Sequence, residues 1–148
     1  GMAVLLVNAS RASKLWPDER WIAVERWLAH QGIASVLFCG STEERPRSEL
    51  LAARMQRAEV SPPATLVTIA SALATASIVI GLDTGLTHLA AALGRPTVGI
   101  FCDYDPALVG LTGDADAGNA VISVGSAIAA PVASEVIDAA ARAMNRQP

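Results

Sequence analysis

The stretch GLDTGLTHLAAALGRP, residues 81–96, sets a carboxylate (Asp83), a hydroxyl (Thr84) and an imidazole (His88) between the apolar runs SIVI and TVGIF. A helix opening at Gly85 would present unpaired N–H groups and the positive end of its dipole, a seat suited to phosphate. Thr84 adds a hydroxyl donor beside it, and Gly81 permits a tight bend or a close backbone approach. Asp83 is ill-suited to share that seat with an anion; it is read as an acceptor for a ligand hydroxyl or as a brace for the loop. The plainer alternative is that Asp83 or Thr84 caps the helix. His88, one turn in, is either a buried structural histidine or a ligand contact. Metal ligation is disfavoured, because no second histidine or cysteine pair stands at ligand spacing.

A second polar stretch, NASRASKLWP (8–17), contains Lys14, the only lysine in the chain. A lone lysine between a strand and a helix reads as a point charge for a phosphate. Ser10, Arg11 and Ser13 offer further donors, and an incidental surface lysine is the alternative. Trp16 could stack on a base or pack on the domain. The loop has neither a Gly-x-Gly-x-x-Gly series nor a Gly-Lys-Ser/Thr ending, so a standard dinucleotide fingerprint or P-loop does not match. A third polar segment, Gly40-Ser41-Thr42-Glu43-Glu44, follows the second strand. Asp103, Asp105, Asp114 and Asp116 crowd one loop but lack the glycine and distal glutamate of an EF-hand.

The elements that must position these residues are legible from their patterns. AVLLV (3–7), SVLFC (35–39), SIVIG (77–81), TVGIF (97–101) and AVISV (120–124) are short continuous apolar runs, as expected of parallel strands buried on both faces. Between them lie helices. Pro17, Asp18 and Glu19 start one whose stripe is Trp21, Val24 and Leu28, stopped by Gly32. A second covers roughly 43–57, with Pro46 early in it. A third runs from a Thr65 cap to about Ala76, with Leu66, Ile69 and Leu73 inward. A short helix at 85–93 ends at Gly94, and the last, 133–146, faces Val136, Ile137, Ala140 and Met144 inward. This alternation predicts an α/β fold: a three-layer, Rossmann-like parallel sheet. Ligands in such sheets bind beyond the carboxyl ends of the strands, where all three polar segments lie.

Composition bounds the rest. At 148 residues the chain is expected to form one domain, 1–148, and its 52% apolar content excludes disorder. A net charge of −3 without a basic stripe argues against nucleic acid. No run reaches the ~18 apolar residues of a membrane span. Cys39 and Cys102 each close a strand-like run and read as reduced thiols of a cytoplasmic protein. Gly1-Met2 reads as a tag-cleavage residue before a methionine, so the chain is expected to be a piece of something longer.

The motifs together resemble the bacterial heptosyltransferases of the lipopolysaccharide core pathway. The likeness rests on Lys14-Leu15-Trp16-Pro17, on Asp83-Thr84-Gly85-Leu86-Thr87-His88, and on Arg95-Pro96 followed by Tyr104-Asp105-Pro106-Ala107-Leu108-Val109-Gly110. Their order and spacing agree with the family over nearly the whole chain, and look closest to the enzyme acting on the innermost sugar acid. The resemblance implies the C-terminal, donor-binding half of a two-domain B-fold glycosyltransferase that transfers heptose from ADP-heptose with inversion. It assigns Ser10 and Lys14 to the diphosphate and sugar, and Glu43 or Glu44 to the ribose. Asp83, Thr84, Gly85 and His88 fall to the heptose and phosphates.

It further implies that no cofactor or metal is needed, and that the general base belongs to an absent N-terminal acceptor domain. The piece alone would then be inactive. The partners implied are ADP-heptose or a related nucleotide sugar, that acceptor domain, and a lipid A-linked acceptor at the inner face of the inner membrane. The low charge content, 17%, fits a face normally covered by the other domain, through which the isolated piece could form a homodimer. Cys102-Asp103 stands where the family often has Gly-Pro, so the donor sugar stays open. The alternative is a nucleotide-binding or protein-interaction module without transferase activity.

Overall fold

The computed structural model describes residues 1–9, 14–102, 121–125 and 129–145. Six parallel strands, β1 (Met2–Leu6), β2 (Ala34–Leu37), β3 (Ala58–Val60), β4 (Ile78–Leu82), β5 (Thr97–Phe101) and β6 (Val121–Gly125), form one sheet. Their order is β3-β2-β1-β4-β5-β6. Among the described residues five helices connect or close them: α1 (Asp18–His30), α2 (Arg45–Ala53), α3 (Leu66–Thr75), α4 (Gly85–Ala92) and α5 (Ala133–Asn145). None of these helices is long and apolar enough to cross a membrane.

The continuous apolar runs of β1, β2, β4 and β5 are buried on both faces because helices cover both. Alternate side chains of one strand go opposite ways. Ala3, Leu5 and Val7 join Trp21, Val24 and Leu28 of α1 and Val136, Ala139, Ala140 and Ala143 of α5. Val4 and Leu6 join Ile69 and Leu73 of α3 and Ala90 of α4 on the other face. Small alanines on α5 let that helix lie close to the sheet. The indole of Trp16, 1% exposed, meets Trp21 edge-on at 5.1 Å, and its Nε1 donates to Pro131 O at 2.8 Å. Arg20 Nη1 donates to the same carbonyl at 2.9 Å, so the start of α1 is fastened to the approach of α5. Trp16 therefore packs the core and is unavailable for stacking on a base.

Three expectations change. The second helix ends at Ala53 rather than near 57, because the chain turns into β3, a three-residue strand absent from the sequence reading. Its turn is held by Glu25 of α1, 1% exposed, whose carboxylate accepts from Gln56 N at 2.9 Å and Arg57 N at 2.7 Å. Leu66 does not face inward: it is 66% exposed, and Val67 beside it is 75% exposed, while Ile69 and Leu73 are buried as expected. Thr65 does cap α3, its Oγ1 accepting from Thr68 N at 3.2 Å. The third change concerns β6, expected as a strand buried on both faces: it is the edge of the sheet and is only partly buried along its length. Arg95 of the Arg-Pro pair lies at the amino ends of the strands, donating through Nε and Nη2 to Ala76 O at 3.1 and 2.7 Å, on the far side from the polar loops.

Glu25→Ala is expected to destabilise the fold by about 1–3 kcal/mol, since two backbone donors lose their acceptor. Urea unfolding checks this, and amide exchange should rise first at Gln56 and Arg57. Unchanged stability would show that water replaces the carboxylate at no cost.

Candidate functional site

The strand order reverses direction between β1 and β4, and this is where an open parallel sheet leaves a crevice. The chain leaving β1 goes to α1 on one face, and the chain leaving β4 goes to α4 on the other. A cleft of about 1050 Å³ opens there, reaching from Asn8 and Lys14 past Asp83, Thr84, Gly85 and His88 to Gly40, Ser41, Glu43 and Glu44. Leu6, Phe38, Leu66, Leu86 and Leu89 supply its apolar wall. Lys14, Glu43, Glu44, Asp83, Thr84, Gly85 and His88 thus come together on one cleft. Ser10 and the loop carrying Asp103, Tyr104 and Asp105 lie outside the described residues.

Gly81 sets the close seating of α4. A Cβ there would fall 2.2 Å from Thr87 Oγ1 and 2.9 Å from Leu6 Cβ, so the bare backbone is what lets α4 lie directly on β4. Thr87 is fully buried, and its Oγ1 stands 3.3 Å from the hydroxyl of Thr84. Thr84 occupies the N-cap position, yet no side chain caps α4. The capping alternative for Asp83 or Thr84 therefore falls. Space beside Gly85 is open.

Asp83 acts as a brace. Its Oδ2 pairs with Lys14 Nζ at 3.3 Å, and its Oδ1 lies 2.9 Å from His88 Nε2. Lys14 Nζ also donates to Asp83 O at 3.4 Å. The carboxylate and ammonium side chains are only 15% and 18% exposed, whereas that of His88 is 41% exposed, which removes the buried-histidine reading. A lone carboxylate beside α4 would repel an anion. Paired with Lys14 it is balanced, and it holds the ammonium next to the amino end of the helix.

The other end of the cleft is acidic. Glu43 is exposed, while Glu44 is partly buried and its Oε1 accepts from Gly40 N at 3.2 Å, which holds the turn after β2. Charge is thus divided, with a cation and helix N–H groups at one end and carboxylates at the other. Such a cleft can take an anion at the first end and a hydroxyl-rich group at the second. Asn8 and the apolar wall were not singled out from sequence. Asn8 gives its amide to Ser48 Oγ at 2.9 Å and receives Arg47 Nη1 at 3.0 Å, contacts between segments far apart in the chain.

Comparison with known proteins finds relatives of the whole fold. The description of Glycosyltransferase family 9 (heptosyltransferase) matches residues 1–128. The chain is 40% identical over 108 residues to lipopolysaccharide heptosyltransferase 1 of Escherichia coli strain K12, covering 73% of this chain and 34% of that protein. With the Pseudomonas aeruginosa enzyme of the same name the identity is 36% over 110 residues, covering 74% and 31%. The chain thus spans about a third of the length of these relatives. The solved structure of E. coli heptosyltransferase WaaC with ADP superposes with a TM-score of 0.85 at 32% identity, over 96% of this chain and 44% of that one. The same enzyme with ADP-2-deoxy-2-fluoro heptose gives 0.71 at 32% identity, over 95% and 41%. E. coli ADP-heptose LPS heptosyltransferase II, at 19% identity and TM-score 0.82 over 97% and 46%, shares the fold.

Gly81→Ala should cost about 1–3 kcal/mol, because the new methyl meets the buried Thr87 hydroxyl of α4 and Cβ of Leu6 on β1. Thermal or urea unfolding reads this directly. A variant as stable as the parent would mean that α4 shifts freely on β4.

Proposed function

The chain belongs to glycosyltransferase family 9, the heptosyltransferases, and from that membership we propose that it is the donor-binding part of an enzyme transferring heptose from ADP-heptose to the lipopolysaccharide inner core. The observation that carries this reading is the meeting of Lys14 with the amino end of α4, through Asp83, at the switch point of the sheet. The relatives solved with ADP and with an ADP-heptose analogue, at 32% identity, support a nucleotide sugar as the ligand.

In this reading the diphosphate lies between Lys14 and the N–H groups that open α4, with Ser10 and the Thr84 hydroxyl as further donors. Glu43 or Glu44 accepts from the ribose hydroxyls, and Leu66, Leu86 and Leu89 give the base an apolar surface. Asp83 and His88 reach the heptose. Transfer breaks the bond between the anomeric carbon and the diphosphate oxygen, and the charge left on that oxygen is met by Lys14 and the helix terminus. The acceptor hydroxyl attacks from the opposite face, so the configuration inverts. Its proton passes to a base in an N-terminal acceptor domain, and the chain alone does not turn over. The acceptor is a lipid A-linked sugar, which puts the whole enzyme at the inner face of the inner membrane as a peripheral protein.

Calorimetry with ADP and adenosine tests the reading. Lys14→Ala should weaken ADP about ten- to a hundredfold, corresponding to ~1.5–3 kcal/mol for a charge-assisted hydrogen bond, and leave adenosine within about twofold. Absence of ADP binding by the folded parent chain, or equal losses for both ligands, would overturn it.

A further inference from the structure

Arg47, on the first turn of α2, is not among the residues lining the cleft and belongs to none of the family motifs named above. Its guanidinium reaches both ends of the segment that joins β1 to α1. Nη1 donates to Val7 O at 2.8 Å and to Asn8 Oδ1 at 3.0 Å, at the start of that segment. Nη2 donates to Asp18 Oδ1 at 3.0 Å, at its end. Asn8 is locked from the other side by its bond to the hydroxyl of Ser48, which is fully buried on the same helix. Lys14 stands between these two ends, and its ammonium meets Asp83 across the crevice.

We propose that Arg47 is a positioning residue for Lys14: one planar fork fixes both ends of the β1–α1 segment, so that the lysine is presented toward Asp83 and the amino end of α4. The fork matters more than the charge. A guanidinium bonds in two directions from one rigid plane, whereas an ammonium on a flexible stem is a single point. Without the clamp Val7, Asn8 and Asp18 lose a shared anchor, and less of the fold then holds Lys14 against Asp83. Such a partly exposed pair contributes little once its partners must first be ordered. Because α2 also begins at Glu44, the N-cap residue that bonds Gly40, the same helix sets both polar ends of the cleft. The role of Arg47 toward a diphosphate rests on the function proposed above; its role toward Lys14 does not.

The single lysine makes this measurable without a ligand. Acetylation of Lys14 by a succinimidyl ester, followed by peptide mass spectrometry with the Gly1 amine as internal reference, reports how firmly the ammonium is held. Arg47→Ala should raise the Lys14 rate by up to about fivefold, the full weight of a partly exposed ion pair. Arg47→Lys should leave most of that rise in place. Glu25→Ala, which loosens the fold elsewhere, should leave the rate at the parent value. A parent-like rate in Arg47→Ala, full rescue by Arg47→Lys, or an equal rise in Glu25→Ala would overturn the inference. If Arg47→Ala does not fold, Asp18→Ala severs the Nη2 branch alone and must still raise the rate. Repeating the parent measurement with ADP separates the two proposals. Protection of Lys14 by ADP with an unmoved Arg47→Ala rate rejects the positioning role and upholds the diphosphate reading. A raised rate in Arg47→Ala without ADP protection of the parent does the reverse.

Discussion

The Lys14–Asp83 ion pair is the constraint on which the cleft depends. Its partners are separated by 69 residues and belong to loops that leave neighbouring strands in opposite directions. A parallel sheet whose crossovers diverge at β1 and β4 opens a crevice there by construction, beyond the carboxyl ends where the β1–β4 ladder stops. A carboxylate on one lip and an ammonium on the other close that gap electrostatically. With only 15% and 18% of the two side chains exposed, the pair is screened less than one on the open surface. His88 takes the second carboxylate oxygen, so α4, the β4 exit and the β1 exit form one connected polar unit.

The scaffold beneath that unit is built differently. Its residues are mostly apolar and buried, and two of its buried polar side chains serve the backbone: Glu25 receives two amides, and Trp16 donates to a carbonyl. A buried carboxylate such as Glu25 is easily taken for a catalytic group. Here its lone pairs are spent on the turn before β3. Gly81 is the narrowest point of contact, because α4 carries the helix terminus facing the cleft and can do so only if it lies on the sheet without a side chain between. Packing density and ligand chemistry meet at that glycine.

The low charge content noted at the outset has a definite location. From Val60 to Leu82 the chain carries no charged residue, and Leu66 and Val67 in that run are exposed. Leu66 lines the cleft, so the bare apolar surface there is continuous with the wall of the site.

Among the described residues, five of the six strands, the five helices and the edge of the sheet where the cleft opens were legible from sequence, because apolar period, glycine and proline stops and polar loop segments are local signals. β3 was not. Three residues, with a glutamate at their centre, present neither alternation nor an apolar run, and the strand exists because β2 offers it a ladder and Glu25 holds its entry. The outward turn of Leu66 was equally hidden, since it sits at the first position of α3, where the helical stripe has not yet met the sheet. Residue types at the cleft were set by the sequence: a lone lysine, an Asp-Thr-Gly corner, two glutamates. Which of them pair with each other, and that Arg47 reaches both ends of the lysine's segment, was decided only in three dimensions. Those contacts join residues 29 to 69 positions apart, and no local pattern encodes a distance of that kind.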